Sequence, residues 1–412
     1  MRSPFWTVFN AFLALCWPVP AAWAEGAPVR IYIDADWTAA RASAVAIERG
    51  LRTALDEAGD LLDGRRVEIV TKDHRGSSPR SKRHLQQFLQ DERALAVFSG
   101  MHSPPLLAHR RFINESGILV LDPWAAAGPI TRYAAGENWI FRLSVDDTKA
   151  GRVIVRHAVL ERGFKRPYLL LEDTGWGQSN QRTMGAALKE LDVAPAGTAW
   201  FKWDMGRPRA RALLREVEAA GADVVLLVAN AMEAATLIQE MDGLGMGLPV
   251  CSHWGITGGD FTAQVGAPLR ERVSLAFIQT RFSFVSHPRD PLGQAVLSRA
   301  MALYPGQIRG AEDIQAPTGF IHAFDLGRIL AAAAGQAGLT GDMAVDRPRV
   351  RAALEDLRRP VEGLVKTYRR PFAPFSAAAP DAHEALGLED LVMARYGERG
   401  EILLLSAPPI ER

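Results

Sequence analysis

Short apolar runs alternate with amphipathic helical stretches along most of the chain, and this alternation limits the fold more than any other feature of the sequence. The runs are continuously apolar, as in parallel strands that are covered on both faces. Strands that alternate with helices form parallel sheets with right-handed crossovers. The runs predict strands at residues 29–34, 67–72, 94–99, 118–122, 167–172, 223–228 and 249–252.

The number of these strand-helix units is too large for one small sheet, and their spacing does not suit an eightfold barrel, so we expect two lobes. An extended segment around Phe141 leads into a helix that begins near Lys149, which predicts the passage from one lobe to the other. A second extended run, residues 274–284, can return the chain to the first lobe. The Ala-rich helix 319–337 would then pack on the first sheet through its apolar face.

The predicted fold class is therefore α/β, with two doubly wound parallel-sheet lobes joined by a multi-strand hinge. We predict that residues 25–143 and 281–357 form lobe 1, and that residues 144–280 and 358–412 form lobe 2. Near the end of the chain, residues 389–396 have a helix-like pattern, and residues 401–405 are predicted to add a last edge strand.

The first 24 residues have the pattern of a secretory signal peptide. Arg2 is followed by an apolar stretch over residues 5–15 and by the small-x-small sequence Ala22-Trp23-Ala24. We expect cleavage after Ala24 and a periplasmic mature protein. No later apolar run reaches the roughly 18 residues that a membrane span needs, so the mature chain is expected not to cross a membrane.

The cysteine count indicates what can stabilise the fold, and the charge balance indicates which partners the chain can bind. Removal of the signal peptide takes away Cys16 and leaves Cys251 alone, so the exported chain has no intrachain disulfide and its stability must come from its core. The 48 basic residues balance the 47 acidic ones, and no long block of like charge is present. We therefore expect no nucleic-acid partner, and we expect a monomer.

Four tryptophans each lie just beyond the C-terminal end of a predicted strand: Trp37, Trp124, Trp176 and Trp254. In an open α/β sheet this edge is where ligands bind, because helix N-termini and loop backbone groups converge there. Each tryptophan has the alternative of packing into the core of a lobe. Their common register predicts a cleft lined with aromatic rings, with at least two of the four facing it.

Several stretches occur in a characteristic order over roughly residues 28–345: residues 29–34 with the following helix, 63–70, 98–103, 119–123, 141–142 with 146–147, and 171–177. Together they resemble the type I periplasmic solute-binding proteins of ABC transporters, the leucine/isoleucine/valine-binding group. The resemblance implies a Venus-flytrap fold, in which a ligand binds between two lobes and is delivered to a membrane permease.

The resemblance further implies that two loops of lobe 1, residues 100–103 and 123–126, hold a ligand carboxylate through hydroxyl and backbone N–H groups. Helix N-termini can serve this purpose because they offer free N–H donors and a partial positive charge. The first loop contributes His102 and Ser103, for which helix capping is the alternative role of the serine. The second loop contributes Trp124, Ala125 and Ala126.

The chain departs from the family pattern where a ligand ammonium is usually bound. An acidic residue is common there, and this chain has His253-Trp254-Gly255. An ammonium could instead meet Glu172, Asp173 or the tryptophan rings, and the rings would also suit an aromatic ligand or an amide. Asn230 offers both a donor and an acceptor, with an ordinary turn as its alternative role. The predicted ligand-binding residues are Trp37, His102, Ser103, Trp124, Ala125, Ala126, Asp173, Thr174, Trp176, Asn230 and Trp254.

The predicted function is an extracytoplasmic solute-binding protein that carries a small polar ligand, an amino acid, an amide or an aromatic or carboxylate compound, to an ABC transporter permease. A ligand-sensing module for a membrane kinase or chemoreceptor is an open alternative, because closure of two lobes around a ligand also creates a surface that such a partner can recognise. An exported enzyme is the second alternative, but the sequence has neither a G-x-S-x-G elbow nor an H-E-x-x-H zinc pair. We expect no catalytic residues, no metal and no cofactor.

Overall fold

The computed structural model describes residues 27–406 and Ile410, so the predicted signal peptide lies outside the described residues. The first of its two large sheets has six strands in the order β2-β3-β1-β4-β5-β6. All neighbours in this sheet run parallel except β2 and β3. The strands are β1 (Val29–Ala35), β2 (Leu61–Leu62), β3 (Arg65–Asp73), β4 (Ala94–Ser99), β5 (Val120–Asp122) and β6 (Ile140–Arg142).

The second large sheet has seven strands in the order β15-β14-β11-β10-β9-β7-β8, and β14 and β15 are antiparallel to their neighbours. A separate hairpin of β12 and β13 precedes its last two strands. The strands are β7 (Pro167–Glu172), β8 (Gly197–Phe201), β9 (Val224–Val228), β10 (Val250–Ser252), β11 (Leu275–Thr280), β12 (Val361–Glu362), β13 (Thr367–Tyr368), β14 (Leu391–Tyr396) and β15 (Ile402–Leu404).

The helices lie between these strands in the order that the sequence pattern predicts. Among the described residues they are α1 (Arg41–Asp56), α2 (Ser78–Gln90), α3 (Ser103–Glu115), α4 (Asp147–Arg156), α5 (Gly175–Glu190), α6 (Arg207–Ala219), α7 (Ala231–Gly243), α8 (Phe261–Val265), α9 (Ala267–Arg272), α10 (Pro291–Leu303), α11 (Pro317–Ala337) and α12 (Met343–Glu355). In the part of the chain that the structure describes, none of these helices has the length and apolarity to cross a membrane.

The predicted fold class is confirmed, since both sheets are mainly parallel and helices connect their strands. Each of the seven predicted strands is present, with ends that shift by two residues or fewer. The helix predicted at residues 389–396 is wrong, because residues 391–396 form β14. These residues form a strand because they pair with the antiparallel neighbour β11. A short apolar run has no periodicity that separates a buried strand from a buried helix.

Helix α11 packs closely on α1 at lobe 1 because glycine is present at the contact. A Cβ atom on Gly50 of α1 would overlap the backbone carbonyl of Phe320 of α11. Both helices are largely buried along this contact, so neither can move away without exposing apolar surface.

Replacement of Gly50 by Ala is therefore expected to lower the free energy of unfolding by about 1 to 3 kcal/mol through overpacking. The matched control is Gly185→Ala in α5, where a Cβ atom would meet nothing within 4 Å. Helix propensity should make that variant more stable by roughly 0.5 to 1 kcal/mol. Urea unfolding midpoints of the two variants measure the difference, and equal effects of the two substitutions would contradict the close packing.

The segment before β14 contacts elements that carry the first sheet. The Asp325 carboxylate of α11 accepts hydrogen bonds from the Tyr368 hydroxyl at 2.7 Å and from the Leu364 backbone N–H at 2.6 Å. The His383 ring stacks on Phe141 of β6, with the ring centroids 4.0 Å apart. We therefore propose that residues 358–386 belong with lobe 1 and that the boundary predicted at residue 358 lies closer to β14.

Candidate functional site

A cavity lies between the carboxyl ends of strands from both sheets. Its lining residues follow β4 and β5 in the first sheet and β7, β9 and β10 in the second. The empty space is at most about 270 Å³, and we call it the inner cavity. It is lined by Met101, His102, Ser103, Pro104, Trp124, Ala126, Glu172, Trp176, Asn230, Trp254 and Gly255.

The structure brings seven of the predicted binding residues to this cavity: His102, Ser103, Trp124, Ala126, Trp176, Asn230 and Trp254. The other four lie elsewhere. Trp37 is half-buried, and its backbone N–H donates to the Asp73 carboxylate at 3.0 Å. Asp173 is exposed, and Thr174 caps α5 by accepting the Gly177 N–H. The Ala125 N–H is turned toward the Asp122 carboxylate.

The tryptophans of the cavity are also packed into the cores of the lobes. Lining the cleft and packing the core, the two roles considered for them, therefore occur together. Trp124 and Trp254 are each 1% exposed, and their ring centroids are 6.0 Å apart. The indole N–H of Trp176 donates to Asp147 Oδ1 at 3.2 Å, and His253 Nε2 lies 3.1 Å from the same oxygen. Both walls of the cavity are therefore fixed by packing before any ligand enters.

The two lobe 1 loops use some of their donors within the protein. The backbone N–H groups of Trp124 and Ala125 donate to Asp122 Oδ1 at 3.1 and 2.8 Å, and burial raises the pKa of this carboxyl to about 6. The Ala127 N–H donates to Ser103 Oγ at 3.2 Å. Helix α3 begins with Ser103 and continues with Pro104 and Pro105, which have no N–H. The second loop thus has neither the Trp124 nor the Ala125 N–H free for a carboxylate.

Glu172 is the carboxylate of the inner cavity, and the predicted set of binding residues did not include it. Its side chain is 1% exposed, and it accepts hydrogen bonds from the Thr174 hydroxyl at 3.0 Å and from Asn230 Nδ2 at 2.7 Å. Burial raises its pKa to about 7. Its position as the last residue of β7 indicates a possible ligand contact in the sequence. An acidic residue that is exposed to water at the end of a strand has the same sequence pattern, so the two roles could not be separated.

A larger cavity, with at most about 800 Å³ of empty space including the part open to solvent, lies beside the inner cavity and shares Met101, His102 and Asn230 with it. We call it the outer cavity. His102 Nε2 lies 3.4 Å from Asp36 Oδ2, and the His102 ring centroid is 5.1 Å from that of Trp203. Other residues of its lining are Arg75, Gly76, Asp204, Ala231, Met232, Glu233, Gly258, Gly259, Asp260 and Gln264. Sequence reasoning missed Trp203 because it follows β8, a strand that was not predicted.

The sequence profile of a family described as "Periplasmic binding protein" matches residues 33–385, which is most of the chain. The chain belongs to this family. The resemblance seen in the sequence is confirmed at that level, and a comparison with curated proteins gives no match.

Solved structures of other binding proteins share this fold at low sequence identity. A periplasmic binding protein type 1 from Bordetella pertussis Tohama I is 17% identical, with a TM-score of 0.76 and coverage of 93% of this chain and 100% of that chain. An ABC transporter solute-binding protein from R. palustris in complex with benzoate is 19% identical, with a TM-score of 0.73 and coverage of 93% and 97%. A branched-chain amino acid transporter substrate-binding protein from Streptococcus pneumoniae in complex with isoleucine is 18% identical, with a TM-score of 0.72 and coverage of 92% and 100%.

In this periplasmic binding protein a buried arginine supports the second lobe 1 loop. Arg142 ends β6 and is fully buried, and its Nη1 donates to the carbonyls of Ala125 and Ala127 at 3.2 and 2.9 Å. Its Nη2 donates to Asp146 Oδ1 at 3.0 Å and to Glu384 Oε1 at 2.9 Å. The loop that carries Trp124 and Ala126 is thereby tied to a buried ion cluster at the passage between the lobes.

Proposed function

We propose that this binding protein is exported to the periplasm, captures a small polar ligand between its two lobes and delivers it to an ABC transporter permease, without catalysis. The observation that carries the proposal is the composition of the inner cavity. Lobe 1 supplies Ser103 and Trp124, lobe 2 supplies Glu172, Trp176 and Trp254, and neither set encloses a ligand without the other. A ligand that contacts both walls stabilises the closed arrangement over an open one.

Contacts between the lobes support the proposal that a partner protein recognises the closed form. The Gly128 N–H of lobe 1 donates to Ser179 Oγ of α5 at 3.2 Å, and the Thr257 and Thr318 hydroxyls lie 3.3 Å apart across the same boundary. Closure forms these contacts and fixes the relative position of the outer surfaces. A permease that binds this surface would distinguish the loaded protein from the empty one.

The test is a thermal-shift screen of the chain from residue 25 to residue 412, unfolded and refolded first to remove any carried ligand. The panel consists of amino acids, amides, aromatic acids, carboxylates and small amines. A ligand at about 100 times its dissociation constant stabilises the native state by roughly 2.7 kcal/mol, which gives a clear shift. We expect a shift from one compound class only, and a folded protein with no shift from any class would contradict the proposal.

Replacement of Trp254 by Ala is expected to weaken the ligand found in the screen by about 1 to 3 kcal/mol, because an aromatic wall of the inner cavity is lost. The matched control is Trp200→Ala in the same lobe. Trp200 is half-buried and packs against Gly177 outside the cavity. Titration calorimetry of both folded variants gives the comparison, and unchanged affinity in the Trp254 variant would remove this residue from the site.

A further inference from the structure

The inner and outer cavities together form a cleft with a strong excess of negative charge, although the whole chain has a formal net charge of only +1. Asp36, Asp204, Glu233 and Asp260 line the outer cavity. The cation Arg75 is paired with Asp73, with Nε 3.1 Å from Oδ2, so it neutralises little of this charge. A cleft of one charge sign concentrates ligands of the opposite sign.

Among the described residues that line the inner cavity, only His102 can carry a positive charge, and it is paired with Asp36 at 3.4 Å. None of these described residues is Lys or Arg, and Glu172 is present. Burial of a second carboxylate beside Glu172, without a paired cation, would be strongly unfavourable. Four backbone donors of the adjoining loop, those of Trp124, Ala125, Ala127 and Gly128, are already bonded to Asp122, Ser103 and Ser179.

One buried donor in the inner cavity has no partner, which points to a ligand rather than to packing alone. Trp124 Nε1 has no hydrogen bond within the described part of the chain, although the side chain is 1% exposed. Atoms Cε3 and Cζ3 of its ring face Gly319, so the N–H is on the opposite edge of the ring, and Trp124 lines the inner cavity. An unpaired buried N–H costs about 1 to 3 kcal/mol. The Ser103 hydroxyl, whose oxygen accepts the Ala127 N–H, keeps its own proton to donate beside it.

We propose that the ligand is a small organic ammonium compound that also carries a hydrogen-bond acceptor such as a hydroxyl group. The ammonium lies against Glu172 of lobe 2, and the acceptor takes the Trp124 N–H and the Ser103 O–H of lobe 1. This inference rests on the proposed function and assigns its ligand a charge opposite to that of the benzoate bound in the R. palustris structure.

Titration calorimetry with two matched pairs of compounds tests the charge. Choline is compared with 3,3-dimethylbutan-1-ol, its neutral isostere, and ethanolamine is compared with ethylene glycol. We expect at least one cation to bind about 10 to 100 times more tightly than its neutral partner. The choline and ethanolamine arms distinguish a methylated ammonium from a primary one. Benzoate, isoleucine and leucine complete the panel.

The same titrations with Glu172→Gln should reduce the advantage of the cation about tenfold or more, since the side chain keeps its shape and loses its charge. Glu271→Gln is the control, because Glu271 is exposed on α9 and lies outside both cavities. Binding of benzoate or an amino acid without binding of either cation would overturn the ammonium inference and keep the proposed function. Binding of no compound in this set would overturn the ammonium inference, and the absence of any shift in the wider thermal-shift panel would overturn the proposed function as well. A cation that binds equally well to the Glu172 variant would overturn the role of Glu172.

Discussion

Replacement of Glu384 by Gln is expected to lower the free energy of unfolding by about 3 to 5 kcal/mol, the cost of breaking a buried ion pair from one side. Glu384 Oε1 receives Arg142 Nη2 at 2.9 Å, and the two side chains are 1% and 0% exposed. Lys149 Nζ lies 3.0 Å from Oε2, and Arg132 also contacts the carboxylate. Without its charge, Arg142 and Arg132 would share the buried carboxylate of Asp146, and Lys149 would be left with the exposed carboxylate of Asp381 at 3.8 Å.

The matched control is Glu190→Gln, which removes an ion pair of similar length from the surface. Arg152 Nη2 lies 2.7 Å from Glu190 Oε1, but the side chains are 50% and 54% exposed. Water screens such a pair, so the control should change the free energy of unfolding by less than about 1 kcal/mol. Urea unfolding curves give both values. Similar midpoints for the two variants would show that the cluster around Arg142 is hydrated rather than buried.

The ion cluster also shows where sequence reasoning stops. Arg142 and Asp146 are four residues apart, and the family resemblance includes both, but Glu384 is 242 residues away from Arg142 along the chain. Nothing local in residues 381–386 indicates a buried charge there. The position of Glu384 depends on the segment that stacks His383 on Phe141, and such a long-range contact has no signature in one sequence.

The strand positions could be predicted because continuous apolar runs of four to eight residues, bounded by helical stretches in a regular alternation, are typical of buried parallel strands. Strand β14 escaped prediction because its partner β11 lies more than a hundred residues earlier. The edge at which the site lies was also predictable, since the carboxyl ends of parallel strands meet there. This rule brings Trp124, Trp176 and Trp254 together.

The same rule does not say which way each side chain points or which donors remain free. Trp37 follows β1 as regularly as Trp124 follows β5, but its loop bonds to Asp73 and it lies outside the inner cavity. Ala125 was predicted to bind a ligand through its N–H, which the structure directs to Asp122. These outcomes depend on local hydrogen-bond competition between neighbouring loops, and residue types alone do not determine it.

The free energy of unfolding of the Glu172→Gln variant, relative to that of the original protein, is expected to rise by about 3 kcal/mol between pH 4.5 and pH 8 without ligand. Burial raises the pKa of Glu172 from 4.5 to about 7. Between these values the folded protein retains a proton that the unfolded chain releases. The stability of the original protein therefore falls as the pH rises through this window, and the glutamine variant has no such loss.

The groups around Glu172 determine how large this effect is. The hydrogen bonds from Trp203, Thr174 and Asn230 lower its pKa without offsetting burial, and the nearby charge of Glu233 raises it further. Urea unfolding of both proteins at a series of pH values measures the difference, with the exposed Glu271→Gln as a control that should show no such trend. A flat difference would mean that Glu172 is well solvated when the site is empty. The expected rise would show that an acidic group at the end of β7 destabilises the unliganded protein near neutral pH, as a residue retained for binding a cation would.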